Sequence, residues 1–131
     1  MRKVIITGAG GQLGSCLLRK FSVDEAIEVC GFRREELDIL DEKGIAEVLD
    51  GEKPFAVINC AAYTAVDRAE SEEDKARDVN VIGLQNLAKA CEERGVMLIH
   101  ISTDYVFSGE DGGTEERPYK AQDEVDPRNV Y

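Results

Sequence analysis

Apolar residues along this chain occur in two patterns, as short continuous runs and as longer segments with an apolar residue at every third or fourth position. Short apolar runs bounded by turn residues predict buried β-strands. They fall at residues 4–6, 26–32, 37–40, 55–60 and 96–101. The run at 37–40 predicts only a very short strand, because it has four residues and one of them is Asp38.

Apolar residues spaced by three or four positions predict three helices between these strands. The second helix begins at Asp41 as its N-cap and ends at Gly51. The third begins with a capping box of Ser71 and Asp74 and ends at the C-cap Gly95. The apolar faces predicted for the three helices are, in order, Leu13, Cys16, Leu17 and Phe21; Ile45, Val48 and Leu49; and Ala76, Val79, Gly83, Leu87, Ala90 and Cys91.

Strands that are apolar throughout and that alternate with helices predict an α/β fold. The sheet should be Rossmann-like, parallel and doubly wound, with helices on both faces. Right-handed crossovers place the first strand in the centre of such a sheet. Ligands of these sheets bind at the carboxyl ends of the strands, beside the point where the strand order reverses. We therefore expect the ligand near the residues that directly follow each strand.

A glycine-rich loop joins the first strand to the first helix, with the spacing Gly8-x-x-Gly11-x-x-Gly14 and an additional Gly10. Glycine has no Cβ, so the backbone N–H groups of such a loop can approach a phosphate, and the helix start favours an anion. The spacing differs from G-x-G-x-x-G and lacks the Gly-Lys-Ser/Thr end of a nucleotide triphosphatase loop. The flanking strand and helix favour a pyrophosphate site over a turn without a ligand.

Composition and charge narrow the class of protein. A chain of 131 residues is long enough for one domain with a core. A formal charge of −11 disfavours binding to nucleic acid or to an anionic membrane surface. No apolar run approaches the length of about 20 residues that a membrane span needs.

Cysteine usage and the N-terminus bear on the compartment. The four cysteines lie in apolar stretches without a C-x-x-C pair, which is typical of buried thiols in a reducing environment. The first strand begins so close to Met1 that no room is left for a signal peptide. We therefore expect a cytoplasmic protein.

The segment from Ser108 to Arg128 differs in composition from the rest of the chain. It contains three glycines, two prolines and seven acidic residues, and it has little apolar periodicity. The segment is therefore predicted to be a loop, either a lid or a surface excursion.

Two groups of polar residues have structural interpretations. The single histidine, His100, lies in the apolar run 96–101 and is interpreted as a hydrogen-bonded structural residue. Acidic residues cluster before the third helix, where solvation of a helix start explains them with fewer assumptions than a divalent cation does. We expect no metal site among them; they are Asp67, Glu70, Glu72, Glu73 and Asp74.

Five blocks of the sequence resemble the dTDP-4-dehydrorhamnose reductases, which belong to the extended short-chain dehydrogenase/reductases. The blocks are residues 8–14, 37–39, 57–67, 79–83 and 100–107, and residues 127–131 fit as well. The resemblance implies an oxidoreductase of dTDP-rhamnose biosynthesis. Such an enzyme uses a reduced nicotinamide cofactor to convert the C4 keto group of dTDP-4-dehydro-L-rhamnose, giving dTDP-L-rhamnose.

The resemblance also assigns roles to individual residues. It makes Tyr131 the catalytic proton donor and Thr103 the catalytic hydroxyl that orients the carbonyl. It places Thr64, Val66 and Thr103 next to the nucleotide-sugar substrate. The cofactor-binding residues that it implies are Gly8, Gly11, Gln12, Leu13, Gly14, Asp38, Ile39, Ala61, Ala62 and Tyr63.

One departure from the family pattern lies at the end of the second strand. The family often carries an acid there for the ribose 2′-hydroxyl, whereas this chain has Arg33 followed by Arg34. A guanidinium pairs with a 2′-phosphate that a carboxylate would repel. The sequence therefore predicts that Arg33 binds the cofactor and that NADPH is preferred to NADH. A solvated turn at these arginines stays open as the alternative.

A second departure is that the family pattern Tyr-x-x-x-Lys reaches only its tyrosine here. A tyrosine with an ordinary pKa of about 10 needs a nearby cation to act near neutral pH, and the lysine supplies it. We therefore expect residues 1–131 to be an NAD(P)-binding domain, truncated before the substrate-binding part and inactive alone. Uncovered apolar surface and an open sheet edge should cause association, with a homodimer as one form, or partial disorder after residue 108.

A non-catalytic binding module is the alternative class of function. The regulatory subunit of methionine adenosyltransferase resembles the same family and uses the fold for association, and a fold alone does not establish activity. A chain that is complete and only binds a nucleotide is a third interpretation. The feature that separates catalysis from regulation is a lysine four residues beyond Tyr131.

Overall fold

The computed structural model describes residues 1–131, which form four strands and five α-helices. The strands are β1 (Arg2–Thr7), β2 (Ile27–Phe32), β3 (Ala56–Asn59) and β4 (Met97–His100). The helices are α1 (Gln12–Phe21), α2 (Glu42–Glu52), α3 (Val66–Ala69), α4 (Glu73–Arg77) and α5 (Gly83–Arg94). A π-helical turn, Asp78–Ile82, joins α4 to α5, and a 3₁₀ turn, Asp104–Val106, follows β4.

All four strands are parallel, and their order in the sheet is β2-β1-β3-β4. The predicted parallel sheet and the central position of the first strand are therefore confirmed. Strand order reverses at β1, since β2 lies on one side of it and β3 on the other. In register, Thr7 of β1 pairs with Asn59 of β3, and Asn59 pairs with His100 of β4, so these three polar residues lie side by side at the carboxyl ends of their strands.

Side chains of alternate residues in the central strands contribute to two apolar layers, one on each face of the sheet. On one face Val4, Ile6 and Ile58 pack against α1 through Leu17, Leu18 and Phe21. On the other face Ile5 and Val57 pack against α2 and α5 in the larger core cluster. Helices on both faces confirm the doubly wound arrangement. The α1 cluster reaches Ile58 of β3 but includes no residue of β4, and Met97 and Ile99 of that strand are 52% and 42% exposed.

The segment 37–40 is not a strand, and this prediction was wrong. Its backbone turns, with the N–H of Asp41 bonded to the carbonyl of Asp38 at 3.0 Å. The Asp38 carboxylate also accepts a hydrogen bond from the N–H of Leu40 at 3.0 Å. Asp38 therefore satisfies local backbone groups that a strand would have paired with a neighbouring strand. Leu37 and Ile39 are nevertheless buried, as their apolar character predicts.

Several predicted helix details also differ. Helix α1 turns Leu17, Leu18 and Phe21 toward the sheet, which leaves Cys16 exposed and Leu13 40% exposed. Cys16 is therefore not the buried thiol that was expected, whereas Cys91 is buried and Cys30 and Cys60 are partly buried.

The second helix continues past Gly51 to Glu52, and its C-cap, Lys53, has a left-handed backbone with φ of 46°. Asp41 is its N-cap as predicted, but the Asp41 side chain makes no capping hydrogen bond.

The third predicted helix is built from α4, the π-helical turn and α5, and it ends at Gly95 as predicted, with φ of 64°. Its predicted apolar face is confirmed, since Ala76, Leu87, Ala90 and Cys91 are buried and Val79 packs against the core. The capping box does not form, because the Ser71 hydroxyl bonds to the carbonyl of Arg68 instead. The preceding loop, residues 61–70, contains the short helix α3.

Residues 108–128 contain no helix or strand, which agrees with the predicted loop. The segment is organised by Tyr119, which stacks on Phe107 at 4.3 Å and donates a hydrogen bond to Asp111. None of the helices combines the length and the apolar character that are required to cross a membrane.

Candidate functional site

A cleft of about 530 Å³ opens at the carboxyl ends of β1, β2 and β3, where the strand order reverses. Its position agrees with the prediction made from the α/β pattern. The residues that line it are Gly8, Gly10, Gly11, Arg33, Arg34, Glu35, Leu37, Asp38, Ile39, Cys60, Ala61, Ala62, Tyr63 and Val79.

The glycine loop is held against the end of β3 by close backbone contacts. Gly8 has φ of +63°, and a Cβ there would lie 2.6 Å from the N of Ala61 and 2.7 Å from the carbonyl of Cys60. Only glycine fits this combination of left-handed backbone and contact. A Cβ on Gly14 would overlap the carbonyl oxygen of Gly8, so this glycine allows the first turn of α1 to pack on the loop.

The N-terminus of α1 is open to an anion. Gly11 is its N-cap, no side chain caps it, and its first turn has no acidic residue. The first N–H groups of a helix have no partner within the helix, and they carry the positive end of its dipole. Gln12 and Leu13, which the resemblance assigns to the cofactor, are exposed in this first turn, while Gly14 is buried beneath the loop.

Arg33 and Arg34 follow β2 and line the same cleft, but their guanidinium groups have different surroundings. The Arg33 side chain runs beside the glycine loop, where a Cβ on Gly10 would meet its Cγ at 3.6 Å. The Arg33 guanidinium forms no ion pair or hydrogen bond within the chain, and only its backbone N–H bonds to Glu36. Arg34 instead lies 3.5 Å from the Asp38 carboxylate. The cation that is free to meet a ligand is therefore Arg33.

The turn at Asp38 and Ile39 forms the far wall of the cleft and is fixed from behind by α5. Asn86 donates a hydrogen bond to the carbonyl of Ile39 at 3.1 Å. The Ile39 side chain packs so closely on Gly83 that a Cβ there would come within 2.5 Å. This part of the wall is therefore set by packing with a helix that is more than 40 positions away in sequence.

A chain of hydrogen bonds connects the three polar residues at the strand ends. The side-chain oxygen of Asn59 accepts from the Thr7 hydroxyl at 2.6 Å and from the N–H of Ala61 at 3.1 Å. Because that oxygen faces two donors, the Asn59 NH₂ faces His100 Nδ1 at 3.1 Å, and His100 must accept there. The predicted structural, hydrogen-bonded role of His100 is confirmed. Although the residue as a whole is exposed, partial burial of its ring lowers the pKa of His100, in agreement with a neutral ring.

Tyr63 forms the cleft wall after β3, and both its backbone and its side chain are held. Asn80 accepts from the Tyr63 N–H at 2.8 Å and donates to the Tyr63 carbonyl at 3.0 Å. The Tyr63 hydroxyl donates to the Glu72 carboxylate at 2.6 Å. Hydrogen bonds from Lys75 first, and then from Tyr63 and Arg68, lower the pKa of Glu72 to about 2. The same bond to Glu72 raises the pKa of Tyr63.

The residues that the resemblance assigns to catalysis lie outside the lining of this cleft. The Thr103 hydroxyl caps the 3₁₀ turn by accepting from the N–H of Tyr105 at 3.2 Å. The Tyr105 ring packs edge-on against Tyr131, with ring centroids 5.7 Å apart. The segment that ends at Tyr131 is tied to α3 by a 2.9 Å bond from the N–H of Val130 to Glu70. Tyr105 therefore connects the two residues, and Thr64 and Val66, assigned to the substrate, also lie outside the cleft lining.

Six residues that line the cleft were not assigned to it from the sequence: Gly10, Arg34, Glu35, Leu37, Cys60 and Val79. Gly10, Leu37, Cys60 and Val79 lie within the blocks that carry the resemblance, so their position beside assigned residues was an available signal. For Arg34 and Glu35 the sequence contains no indication of a place in the cleft, because that place depends on how the turn after β2 is folded. The acidic residues near α4 form no cluster of three that could hold a metal ion.

A four-stranded parallel sheet with helices on both faces and a glycine-loop cleft at its switch point defines the class of protein, a Rossmann-like α/β protein. The chain belongs to the RmlD substrate binding domain family, whose family model matches residues 1–131.

Known proteins agree with this assignment. The chain is 47% identical over 129 residues to a dTDP-4-dehydrorhamnose reductase of Mycobacterium tuberculosis, which covers 98% of this chain and 41% of the relative. It superposes with a TM-score of 0.92, at 39% identity, on the crystal structure of a dTDP-4-dehydrorhamnose reductase from Bacillus anthracis in complex with NADP. That alignment covers 100% of this chain and 45% of the other. The resemblance seen in the sequence is therefore confirmed.

The same fold recurs in more distant proteins. A UDP-glucose 4-epimerase from Brucella ovis in complex with NAD has a TM-score of 0.85 at 22% identity and covers 100% of this chain and 43% of its own. At this identity the likeness concerns the fold alone. The chain spans about two fifths of the length of the curated relatives that it matches.

Proposed function

We propose that residues 1–131 are the NADPH-binding part of an oxidoreductase that reduces dTDP-4-dehydro-L-rhamnose to dTDP-L-rhamnose. The observation that carries the proposal is the cleft in which the open N-terminus of α1 and the free Arg33 guanidinium converge. Relatives named dTDP-4-dehydrorhamnose reductase support the reaction. Their names also favour a catalytic role over that of a regulatory subunit of methionine adenosyltransferase.

The residues present fit a dinucleotide with an additional phosphate. Glycine at positions 8 and 14 lets the loop pack against the end of β3 and the first turn of α1, and N–H groups without partners at the start of α1 would hold a pyrophosphate. The free guanidinium of Arg33 would pair with a 2′-phosphate. Asp38 and Ile39 would border the adenine side, and Ala61, Ala62 and Tyr63 would border the ribose and nicotinamide side. NADPH in this cleft would supply the hydride for the sugar C4 carbonyl.

In the proposed reaction the chain's own residues handle the proton and the carbonyl oxygen. The Tyr131 hydroxyl would donate its proton to the C4 oxygen, so that hydride and proton together convert the ketone into an alcohol. The Thr103 hydroxyl would donate a hydrogen bond to the same oxygen and orient it. Thr64 and Val66 would contact the sugar nucleotide. Tyr105, which bonds to Thr103 and packs on Tyr131, supports the proposal that the two residues act together.

Calorimetric titration of the chain with NADPH and, in a separate experiment, with NADH tests the cofactor. We expect NADPH to bind more tightly, because only its 2′-phosphate can use Arg33. Equal affinity for the two cofactors would overturn the preference, and binding of neither would overturn the proposed cofactor role of this cleft.

The reaction is tested in a polypeptide that extends this chain to the length of its relatives, with dTDP-4-dehydro-L-rhamnose and NADPH. We expect oxidation of NADPH that depends on the sugar nucleotide. Tyr131→Phe should lower kcat by about 100-fold or more while NADPH still binds, since general-acid catalysis contributes roughly 10²–10⁴-fold. Full activity of the Tyr131→Phe variant would exclude this residue as the proton donor.

A further inference from the structure

Tyr63 is held at three points in the cleft wall. Two of these points are the backbone bonds to Asn80, at 2.8 and 3.0 Å, which leave only the side-chain torsions free. The third is the 2.6 Å bond from its hydroxyl to Glu72, which fixes those torsions. The direction of the phenol is therefore decided by Glu72.

Glu72 is in turn held by hydrogen bonds from two cationic side chains. Its Oε1 atom accepts from Arg68 at 3.0 Å and from Lys75 at 2.8 Å, while its Oε2 atom accepts from Tyr63. A carboxylate with these partners stays ionised and can act only as an acceptor. The neighbouring Glu73 makes no side-chain hydrogen bond or ion pair, although it also lies at the start of α4.

The bond to Glu72 decides what the Tyr63 oxygen can do for a ligand. A tyrosine hydroxyl has one proton to donate and lone pairs that accept. Since the proton is engaged by an ionised carboxylate, only the lone pairs stay available, and the charge-assisted bond makes them stronger acceptors. At the Tyr63 oxygen itself an anionic group of a ligand would find no donor, whereas a hydroxyl or an amide NH₂ could donate to it.

We propose that Glu72 is a positioning residue that makes Tyr63 an obligate hydrogen-bond acceptor, so that this end of the cleft takes an uncharged, donor-bearing part of the ligand. The inference rests on the proposed NADPH binding. The opposite end of the cleft favours anions, through Arg33 and the start of α1. The two ends together give the dinucleotide one orientation, with its phosphates toward the glycine loop and its ribosyl hydroxyls and carboxamide toward Tyr63.

Binding of two probes to the chain and its variants tests this inference. NADPH has the donor-bearing nicotinamide half, and adenosine 2′,5′-bisphosphate lacks it. We expect Glu72→Gln to weaken NADPH binding about three- to tenfold, which corresponds to one hydrogen bond, and to leave the bisphosphate unchanged. Tyr63→Phe should do the same, and the double variant should be no weaker than either single variant, because Glu72 acts through Tyr63. Glu73→Gln, the matched control, should bind both probes as the unaltered chain does.

The outcomes separate the two proposals. If Glu72→Gln weakens both probes equally, or weakens NADPH further when residue 63 is phenylalanine, Glu72 does not act through the Tyr63 acceptor and the inference is wrong. Unchanged NADPH affinity in Glu72→Gln overturns it as well. If the unaltered chain binds neither probe, the proposed cofactor role itself fails.

Discussion

Two adjacent arginines show how a single contact decides the chemistry of a residue. Arg34 lies 3.5 Å from the Asp38 carboxylate, whereas the Arg33 guanidinium has no partner in the chain. Both are exposed at the cleft, and residue type alone does not distinguish them, although the place of Arg33 in the family pattern assigned it to the cofactor. The ion pair of Arg34 reduces its value for a ligand, while Arg33 keeps all of its donors free.

We expect Arg33→Ala to weaken NADPH binding about 10- to 100-fold, because hydrogen bonds to charged groups are worth roughly 1.5–3 kcal/mol. NADH, which has no 2′-phosphate, should bind as before. Titration calorimetry of both cofactors measures the difference. Arg34→Ala is the matched control and should affect NADPH less. If Arg34→Ala loses more NADPH affinity than Arg33→Ala does, the 2′-phosphate binds Arg34 and the prediction is wrong.

Gly8 and Gly51 give opposite expectations for the same substitution. At Gly8, alanine must adopt φ of +63° and place its Cβ 2.6 Å from the N of Ala61. At Gly51, inside α2, a Cβ meets nothing within 4 Å. We expect Gly8→Ala to lower the free energy of unfolding by at least about 2 kcal/mol, and Gly51→Ala to raise it by about 0.5–1 kcal/mol. Urea unfolding followed by circular dichroism measures both, and equal stability of the two variants would contradict the close contact at Gly8.

At the scale of elements, the ends of β1, β3 and β4 are joined by the hydrogen bonds of Thr7, Asn59 and His100. A protonated His100 would turn its Nδ1 acceptor into a donor that faces the Asn59 NH₂. Rotating the Asn59 amide by 180° would not help, since the NH₂ would then face the N–H of Ala61. All of these hydrogen bonds can therefore form only with a neutral ring. Through the bond from Ala61 to Asn59 they also connect His100 to the turn that carries the cleft wall.

Stability should depend on pH through His100. Its folded pKa lies below the ordinary value of 6.5, so the unfolded chain takes up a proton first as the pH falls. The free energy of unfolding should be highest above about pH 6.5 and should fall as the pH drops from there through the folded pKa. His100→Gln, which keeps an acceptor, should lack this decrease. Urea unfolding from pH 7.5 to 5 measures it, and identical pH profiles for the two chains would refute it.

The connection of α4 to α5 is a π-helical turn that the apolar pattern does not predict. Its apolar spacing fits one helix, and the predicted apolar face is buried as a single stripe. A π-helical turn nevertheless interrupts it at Asp78–Ile82, where Asn80 turns its side chain to both backbone groups of Tyr63. Such turns are frequent at functional sites. The turn therefore coincides with the contact that holds the cleft wall.

At the scale of the whole molecule, the two faces of the sheet are covered unequally. Helices α2 and α5 pack over one face, while on the other the α1 cluster covers β1, β2 and Ile58 of β3 but includes no residue of β4. Met97 and Ile99 of the edge strand β4 and Ile101, directly after it, are consequently 52%, 42% and 49% exposed. Contiguous apolar surface next to unpaired strand groups favours association, whereas a formal charge of −11 opposes it.

We expect the isolated chain to associate at high concentration, and more strongly with added salt, because salt screens the repulsion between acidic chains. Ile99→Lys should reduce this association, although it lowers the net negative charge. Val23→Lys, the control, makes the same charge change at an 80% exposed position after α1 and should leave the association unchanged. Sedimentation velocity at low and high salt measures both. A chain that stays monomeric at high concentration in high salt would contradict the expectation.

The sequence by itself determined the parallel α/β sheet, the order of its main elements, the position of the cleft and the family. The sheet, the order of the elements and the cleft follow from local patterns, because apolar periodicity and glycine spacing express the burial and backbone geometry of single elements. The family follows from the resemblance of five sequence blocks. Several predictions failed where distant or competing contacts decide. The run at 37–40 turns because Asp38 bonds to the local backbone, and α1 exposes Cys16 because the sheet selects the adjacent face.

Only the tertiary structure decided which polar groups are engaged and which are free. Arg33 differs from Arg34 through one carboxylate, Glu72 differs from Glu73 through a tyrosine nine positions away, and His100 is tied to Asn59 on a neighbouring strand. Side-chain hydrogen bonds depend on atomic positions within a few tenths of an ångström, and those positions are set by how the strands and helices pack together. The sequence specifies this packing as a whole, and no local pattern expresses it.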